Sequence, residues 1–313
     1  MTMHSQMTVQ EPTPDFDARC LNCVQRWQRG EMPQHQALAA LRELAHEAQA
    51  SQHAANQARA EHLQGYIEHY LGHYNTSVLH YERARQLYDA AHNERRVAAI
   101  DLNQGENFRL KGEFSRARRL YHSAFERARD LGDQRIQATA GVNEGLALIS
   151  MKDYSSALAA LDEGLQLAAA LPEDTPGLLG LFCEAYQGLA LISLAQNNPQ
   201  TAWEHAQRAL DYAQRSDDLL STGYANRILG DALTALRGEG NPDEYYRAAM
   251  LAFQEGGMEG EEGKTLFAQG RSHSARGKNR SAAHLYRQAM VIFSRLGMID
   301  DAARAAEAQL SVL

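Results

Sequence analysis

Cysteine, proline, tryptophan and uninterrupted apolar runs are all scarce in this chain. Three cysteines in 313 residues exclude a disulfide framework. No run approaches the roughly 20 apolar residues of a membrane-spanning helix, so membrane insertion is not expected. The first fourteen residues, MTMHSQMTVQEPTP, lack the basic start and apolar centre of a signal peptide and read as a polar, mobile leader. A cytoplasmic location is the default expectation. Positive charge is not in excess either. Against 39 Asp and Glu stand 31 Lys and Arg, and the net charge of −8 argues against a general nucleic-acid binder. No Gly-rich phosphate loop follows a strand, and no Ser/His/Asp or paired-carboxylate arrangement stands out. Neither an enzymatic activity nor a cofactor is expected.

What the chain has in abundance is internal repetition. Glycines at 65, 105, 145, 230 and 270 each begin a similar segment, and the period is 40 residues from 65 to 145 and again from 230 to 270. Sixteen residues after each stands Tyr81, Tyr121, Leu161, Tyr246 or Tyr286. Nineteen residues after them stand Ala84, Ala124, Gly164, Ala249 and Ala289. A sixth segment begins at Gly188, with Ala202, Ala206 and Ala209 arriving two residues late. Within each segment apolar and small residues recur three and four apart, the pattern of two consecutive helices. Glycines or loop formers separate them, as in GHY, GEF and LGD. Residues 15–50 form a degenerate first repeat and 299–313 one more amphipathic helix, as expected where an array must end against water. The expected organisation is a leader over 1–14 followed by one continuous domain over 15–313, with six repeats across about 55–297.

Gly, then Ala twelve residues on, an aromatic four later and Ala three later resembles the tetratricopeptide repeat (TPR). Gly105, Ala117, Tyr121 and Ala124 carry that order completely, as do Gly270, Ala282, Tyr286 and Ala289. Ser77 and Pro242 depart from it in the Ala column, and Leu161 and Ala206 in the aromatic column. A glycine inside a helix costs about 1 kcal/mol relative to alanine, so its recurrence implies a close helix crossing. The 40-residue period is similar to that of Pins-type scaffolds and Rap-type peptide sensors. The resemblance implies an all-α fold: a right-handed solenoid of stacked helix-turn-helix units with a C-terminal capping helix. It also implies that the first helix of each repeat lines a groove that binds a peptide or protein.

Four positions around each glycine, six and three before it and one and four after it, share one helix face. On that face lie Arg59, His62, Tyr66 and His69, then Ala99, Leu102, Glu106 and Arg109, then Thr139, Val142, Leu146 and Ile149. The series continues with Phe182, Ala185, Leu189 and Ile192, then Tyr224, Arg227, Asp231 and Thr234, and ends with Lys264, Phe267, Arg271 and Ser274. The middle is apolar and the ends are charged, which suits an amphipathic helix or an extended peptide with an apolar centre. The apolar stretch LLGLFCEAYQGLALISLAQ is equally compatible with a helix buried on both sides. Asn103 and Asn143 precede their glycines by two. In the resembling families an Asn in this column holds a ligand backbone through its amide. Peptide-binding residues are thus expected at Asn103, Glu106, Arg109, Val142, Asn143, Leu146, Ile149, Phe182, Leu189, Ile192, Arg227 and Arg271.

Other constellations are weaker. His62, His69 and His73 share a helix but have no clear third ligand, and the lone Cys20-Leu-Asn-Cys23 has no second pair, so no metal site is expected. Arg109, Lys111, Arg116, Arg118 and Arg119 form a basic cluster that Glu106 and Glu113 partly neutralise. The expected role is a non-enzymatic scaffold or adaptor for a protein or peptide partner, the alternative being a peptide-sensing regulator. Whether the chain is a monomer or a homodimer is left open.

Overall fold

The computed structural model describes residues 9–237 and 240–313. Fifteen α-helices and no strand occur among the described residues. The chain divides into two compact units, Met1–Ala169 and Ala170–Leu313. The N-terminal unit contains α1 (Pro14–Gln28), α2 (Gln34–Ala50), α3 (Ala54–Tyr70), α4 (Tyr74–Ala90), α5 (Glu94–Leu110), α6 (Phe114–Leu131), α7 (Gln134–Ser150) and α8 (Tyr154–Ala169). The C-terminal unit contains α9 (Leu178–Ala195), α10 (Pro199–Arg215), α11 (Leu219–Leu236), α12 (Pro242–Glu255), α13 (Glu259–Ala275), α14 (Asn279–Arg295) and α15 (Ile299–Leu310). From α3 onward the two helices of each repeat pair with one another, and α15 packs on α14 as the final helix.

Local chemistry sets the helix boundaries. Asn93, Asp133, Asn198, Asp218 and Asn241 each cap a helix, the side chain accepting from a backbone N–H in the first turn. Between paired helices the chain turns through a left-handed residue, and Gly72 and Gly112 supply it at φ 76° and 77°.

The repeating glycines pack as their columns imply. A Cβ on Gly65 would lie 2.7 Å from the Tyr81 ring, on Gly230 2.8 Å from Tyr246, and on Gly270 2.7 Å from Tyr286. Gly105 meets Tyr121 and Gly145 meets Leu161 in the same way. The tyrosines are almost completely buried, and each ring contributes about 1.5–3 kcal/mol by leaving water. A second close approach recurs seven residues earlier, where Gly223 meets Phe253 and Gly263 meets Phe293. Ser77, in an Ala column, is tolerated because its hydroxyl donates to the Gly65 carbonyl at 2.7 Å.

One expectation changes here. Residues 9–13 of the expected leader are held to α3 and to the α4–α5 turn: Gln10 N–H donates to the Ala91 carbonyl and Thr13 N–H to Asn56. Residues 1–8 of that leader lie outside the described residues. Helix α9 is long and apolar enough to cross a membrane, with 18 residues and a mean hydropathy of 1.6. Half of it is buried in the fold, Cys183 and Ala190 among the residues it packs against α10 and α11.

Candidate ligand-binding face of the first helices

The face read from the glycine columns is half-exposed along α5, where Ala99, Leu102, Asn103, Glu106 and Arg109 are all partly open. On α7 the same holds for Thr139, Asn143, Leu146 and Ile149. Val142 departs from it. Its side chain is fully buried because Gly164 of α8 leaves the space it fills, and a Cβ on Gly164 would lie 2.8 Å from Val142 Cγ2.

In α9 the face is displaced by two residues. Ala202, Ala206 and Ala209 of α10 are completely buried, and Ala190, not Gly188, stands in the crossing column twelve residues before Ala202. Ala190 packs in one cluster with Ala206. The lateness of the alanines in α10 is thus matched in α9, and the open positions become Glu184, Gln187, Leu191 and Leu194. Leu189 and Ile192 are 6% and 2% exposed and belong to the interior. Phe182 is half-buried and stacks on Tyr212 at 5.0 Å, which itself stacks on Tyr186. The expectation that Leu189 and Ile192 line a ligand face is corrected accordingly, whereas Phe182 stays partly open beside Tyr212.

Polar groups on the N-terminal unit's face are engaged with one another. Asn103 contacts His62 Nε2 at 2.9 Å and therefore does not simply await a ligand backbone. His69 meets Asn107 at 2.7 Å, and Asn107 donates in turn to Ser77. His73 turns to Glu68, so the three histidines do not converge. Burial, reinforced by Arg59 and Arg96, pushes His62 down to about 3, which keeps it neutral. Glu106 pairs with Arg109 at 2.6 Å, Glu113 with Lys111 and Arg116, and Glu144 with Arg118. Four of the five members of the basic cluster, Arg109, Lys111, Arg116 and Arg118, are thus held in local ion pairs. Cys20 and Cys23 are buried in the first core with Trp27, and burial pushes the Cys20 thiol up to about 12. Among the described residues no group of three or more His, Cys, Asp or Glu could hold a metal ion.

The C-terminal unit differs, because here the columns meet in a cavity of about 270 Å³. Arg227 and Asp231 enter it from α11, Lys264, Phe267 and Arg271 from α13, and Asp301 and Arg304 from α15, with Phe293 at its base. Arg227 and Lys264 both donate to Glu261 at 2.7 Å, and together they hold its carboxyl below the usual range against the effect of burial. Asp231 accepts from Tyr246 at 2.7 Å and faces Arg271 at 3.4 Å, and Arg304 pairs with Asp301. Arginine faces lie over rings: Arg227 over Tyr224 at 5.1 Å and Arg271 over Phe267 at 5.9 Å. Four cations against three carboxylates around two phenylalanines can hold an acidic group beside an apolar one.

Reading the columns separately recovers Arg227 and Arg271 but misses Asp301 and Arg304. One further period of 40 from Gly270 reaches Leu310, and Arg304 then falls six residues before it, in the column of Lys264. Asp301 falls nine before it, as Glu261 does before Gly270. That signal was present without a glycine to mark it.

Tetratricopeptide repeat protein 29 of Macaca fascicularis is 25% identical over 143 residues, which is 46% of this chain. The match spans only 28% of that protein's length. No protein-family model matches. A solved structure of RapI in its apo form superposes with a TM-score of 0.73 at 13% identity, over 91% of this chain and 99% of that one. The chain is a TPR-like helical repeat protein. Its fold resembles that of the Rap-type sensors. A Rap protein complexed with Competence and Sporulation Factor also superposes, with a TM-score of 0.66 at 12% identity, over 97% of this chain and 88% of that one.

Proposed function

We propose that this TPR-like protein is a non-enzymatic adaptor that holds a peptide or helical segment of a protein partner on the face of its first helices. The observation that carries the reading is the cavity between α11, α13 and α15, where Arg227, Lys264, Arg271 and Arg304 surround Phe267 and Phe293. An acidic residue next to an apolar one fits this lining: the guanidinium groups take the carboxylate and the rings take the side chain. Within the N-terminal unit, the partly open Asn143, Leu146 and Ile149 of α7 offer an amide beside apolar surface. A peptide-sensing regulator is the second reading, favoured by the likeness in fold to a Rap protein complexed with Competence and Sporulation Factor. On either reading the protein acts in the cytoplasm, without nucleic acid, membrane insertion or cofactor.

The test is selection from a displayed random peptide library on the wild-type chain, with Arg271→Glu and Leu146→Asp as comparison baits. Arg271 is largely exposed, so its variant keeps the fold. Acidic, apolar peptides that bind the wild type and lose at least about tenfold on Arg271→Glu support the reading, because a charge reversal in a binding pocket changes electrostatic complementarity outright. Peptides that bind all three baits alike would place the binding surface elsewhere.

A further inference from the structure

We infer that the N-terminal edge of α3 and α5 is a second recognition site, built for an extended acidic segment, and that the chain's own residues 10–13 occupy it. Gln10 uses both backbone groups there. Its N–H donates to the Ala91 carbonyl at 3.1 Å and its carbonyl accepts from Asn93 Nδ2 at 3.0 Å. Thr13 N–H donates to Asn56 Oδ1 at 2.8 Å, and the Asn56 amide returns a longer bond to the Thr13 hydroxyl at 3.4 Å. Between these anchors Glu11 pairs with Arg96 at 3.3 Å and Pro12 is buried. Just beyond, Asp17 of α1 pairs with Arg59 at 2.5 Å.

The holding side chains are buried while the segment they hold is mostly open. Asn93, Asn56 and Arg59 are 1%, 7% and 8% exposed, whereas Gln10, Glu11 and Thr13 are exposed. Side-chain amides satisfy a backbone without regard to sequence, and an arginine beside them selects a carboxylate. Proline keeps the residue before it extended, so the Glu-Pro step is pre-shaped for the edge. Position ties the site to the ligand face: Asn56 and Arg96 lie nine residues before their glycines and Arg59 six before, continuing the stripe toward the helix starts. The ligand class is an extended peptide with an acidic residue preceding a proline. The strap is its tethered competitor, and a tether raises the local concentration of such a segment to the millimolar range, enough to exclude a weak free peptide. The inference rests on the adaptor reading for its purpose but not for its test.

Full-length chains carrying Glu11→Arg, and separately Pro12→Asp, release the strap by two different means. Glu11→Arg/Arg96→Glu restores the charge pair in reverse. Amide hydrogen exchange and amide NMR spectra are recorded for each, and the capped hexapeptide Val-Gln-Glu-Pro-Thr-Pro is titrated to about 5 mM, a range set by the tether estimate. The Gln10 amide is expected to exchange at least about tenfold more slowly in the wild type than in either release variant, and to regain protection in the charge swap. The peptide should shift the Asn56 and Asn93 side-chain amides in the release variants only. Wild-type exchange at the free-chain rate overturns the inference. So do shifts that are equal in wild type and release variants, or absent from both. The readouts lie in the N-terminal unit, so Arg271→Glu leaves them unchanged even if the cavity reading fails.

Discussion

Replacing Gly270 by alanine separates two opposing effects inside one helix. In isolation the change favours the helix by about 1 kcal/mol. In the fold the new Cβ lies 2.7 Å from Cδ1 and Cε1 of Tyr286 and 3.3 Å from Cζ. Favourable carbon contacts begin near 3.5 Å, so ring and methyl must separate by almost 1 Å. Tyr286 is 3% exposed and also meets Phe267 of α13 at 5.4 Å, so the ring is packed and has little room to retreat. Overpacking costs about 1–3 kcal/mol, and a 2.7 Å approach to a buried ring belongs to the upper part of that range, about 2–3 kcal/mol, so subtracting the propensity gain leaves a net loss of about 1–2 kcal/mol. Thermal melts followed by far-UV circular dichroism should show a midpoint lower by about 2–6 °C.

Gly180→Ala is the control. No heavy atom lies within 4 Å of its added Cβ and its φ is not positive, so only the propensity effect remains and the midpoint should rise. Gly270→Ala placed in a Tyr286→Ala background should lose its penalty, because the opposing ring is gone. A Gly270→Ala chain that melts at or above the wild-type temperature would refute the close-crossing account of the repeat, as would a cycle with no coupling between 270 and 286.

Three further outcomes follow from buried polar groups. His62 is held near 3 in the fold but sits near 6.5 when unfolded, so its neutrality destabilises the fold as pH drops below 6.5, by about 2 kcal/mol at pH 5. His62→Gln should therefore shrink the stability difference between pH 7 and pH 5 measured by urea unfolding. Asp243 would be raised by burial, yet hydrogen bonds from Gln269, Arg276 and His273 hold it at about 2; its contribution is present above about pH 4 and lost as pH falls through 2. Asp243→Asn should flatten the stability profile across that window. Asp101 is fully buried and accepts from Arg85 at 2.8 Å and Ser123 at 2.9 Å; Arg85 is one-third exposed and can turn to water, so Asp101→Leu should cost about 2–3 kcal/mol through the lost charge-assisted bonds, read as a lowered urea midpoint.

The fold was legible because its key contacts recur at fixed sequence distances. A glycine and the large side chain sixteen residues later must meet if two helices of constant length fold back through a short turn, and five repeats obey that geometry, four with a tyrosine and one with Leu161. The same rule failed at Gly188 for a physical reason. Helix crossing needs a small residue, and alanine serves as well as glycine when the facing residues are also alanines. The spacing to Ala202, Ala206 and Ala209 selects Ala190, so the partner helix held the register while the glycine diverted the reading. Val142 was misread for a related reason, because Gly164 opens a recess that a helix face alone does not reveal.

Polar residues were harder to read, since an amide or a carboxylate cannot distinguish its own chain from a foreign one. Asn103 has the chemistry to hold a peptide and spends it on His62, 41 residues away. The separations themselves carry the missing information. His69 and Asn107 are 38 apart, Thr234 and Ser272 38, Arg271 and Asp231 40, and Arg227 and Glu261 34. Each is close to one period, because neighbouring first helices lie side by side and bring like columns together. In a repeat chain, polar residues one period apart are therefore each other's first candidates, and a ligand must compete with those pairings. Asn143 and Leu146 keep their place on the face, whereas Asn103 must exchange His62, and Arg271 and Arg227 must exchange Asp231 and Glu261, for an external partner.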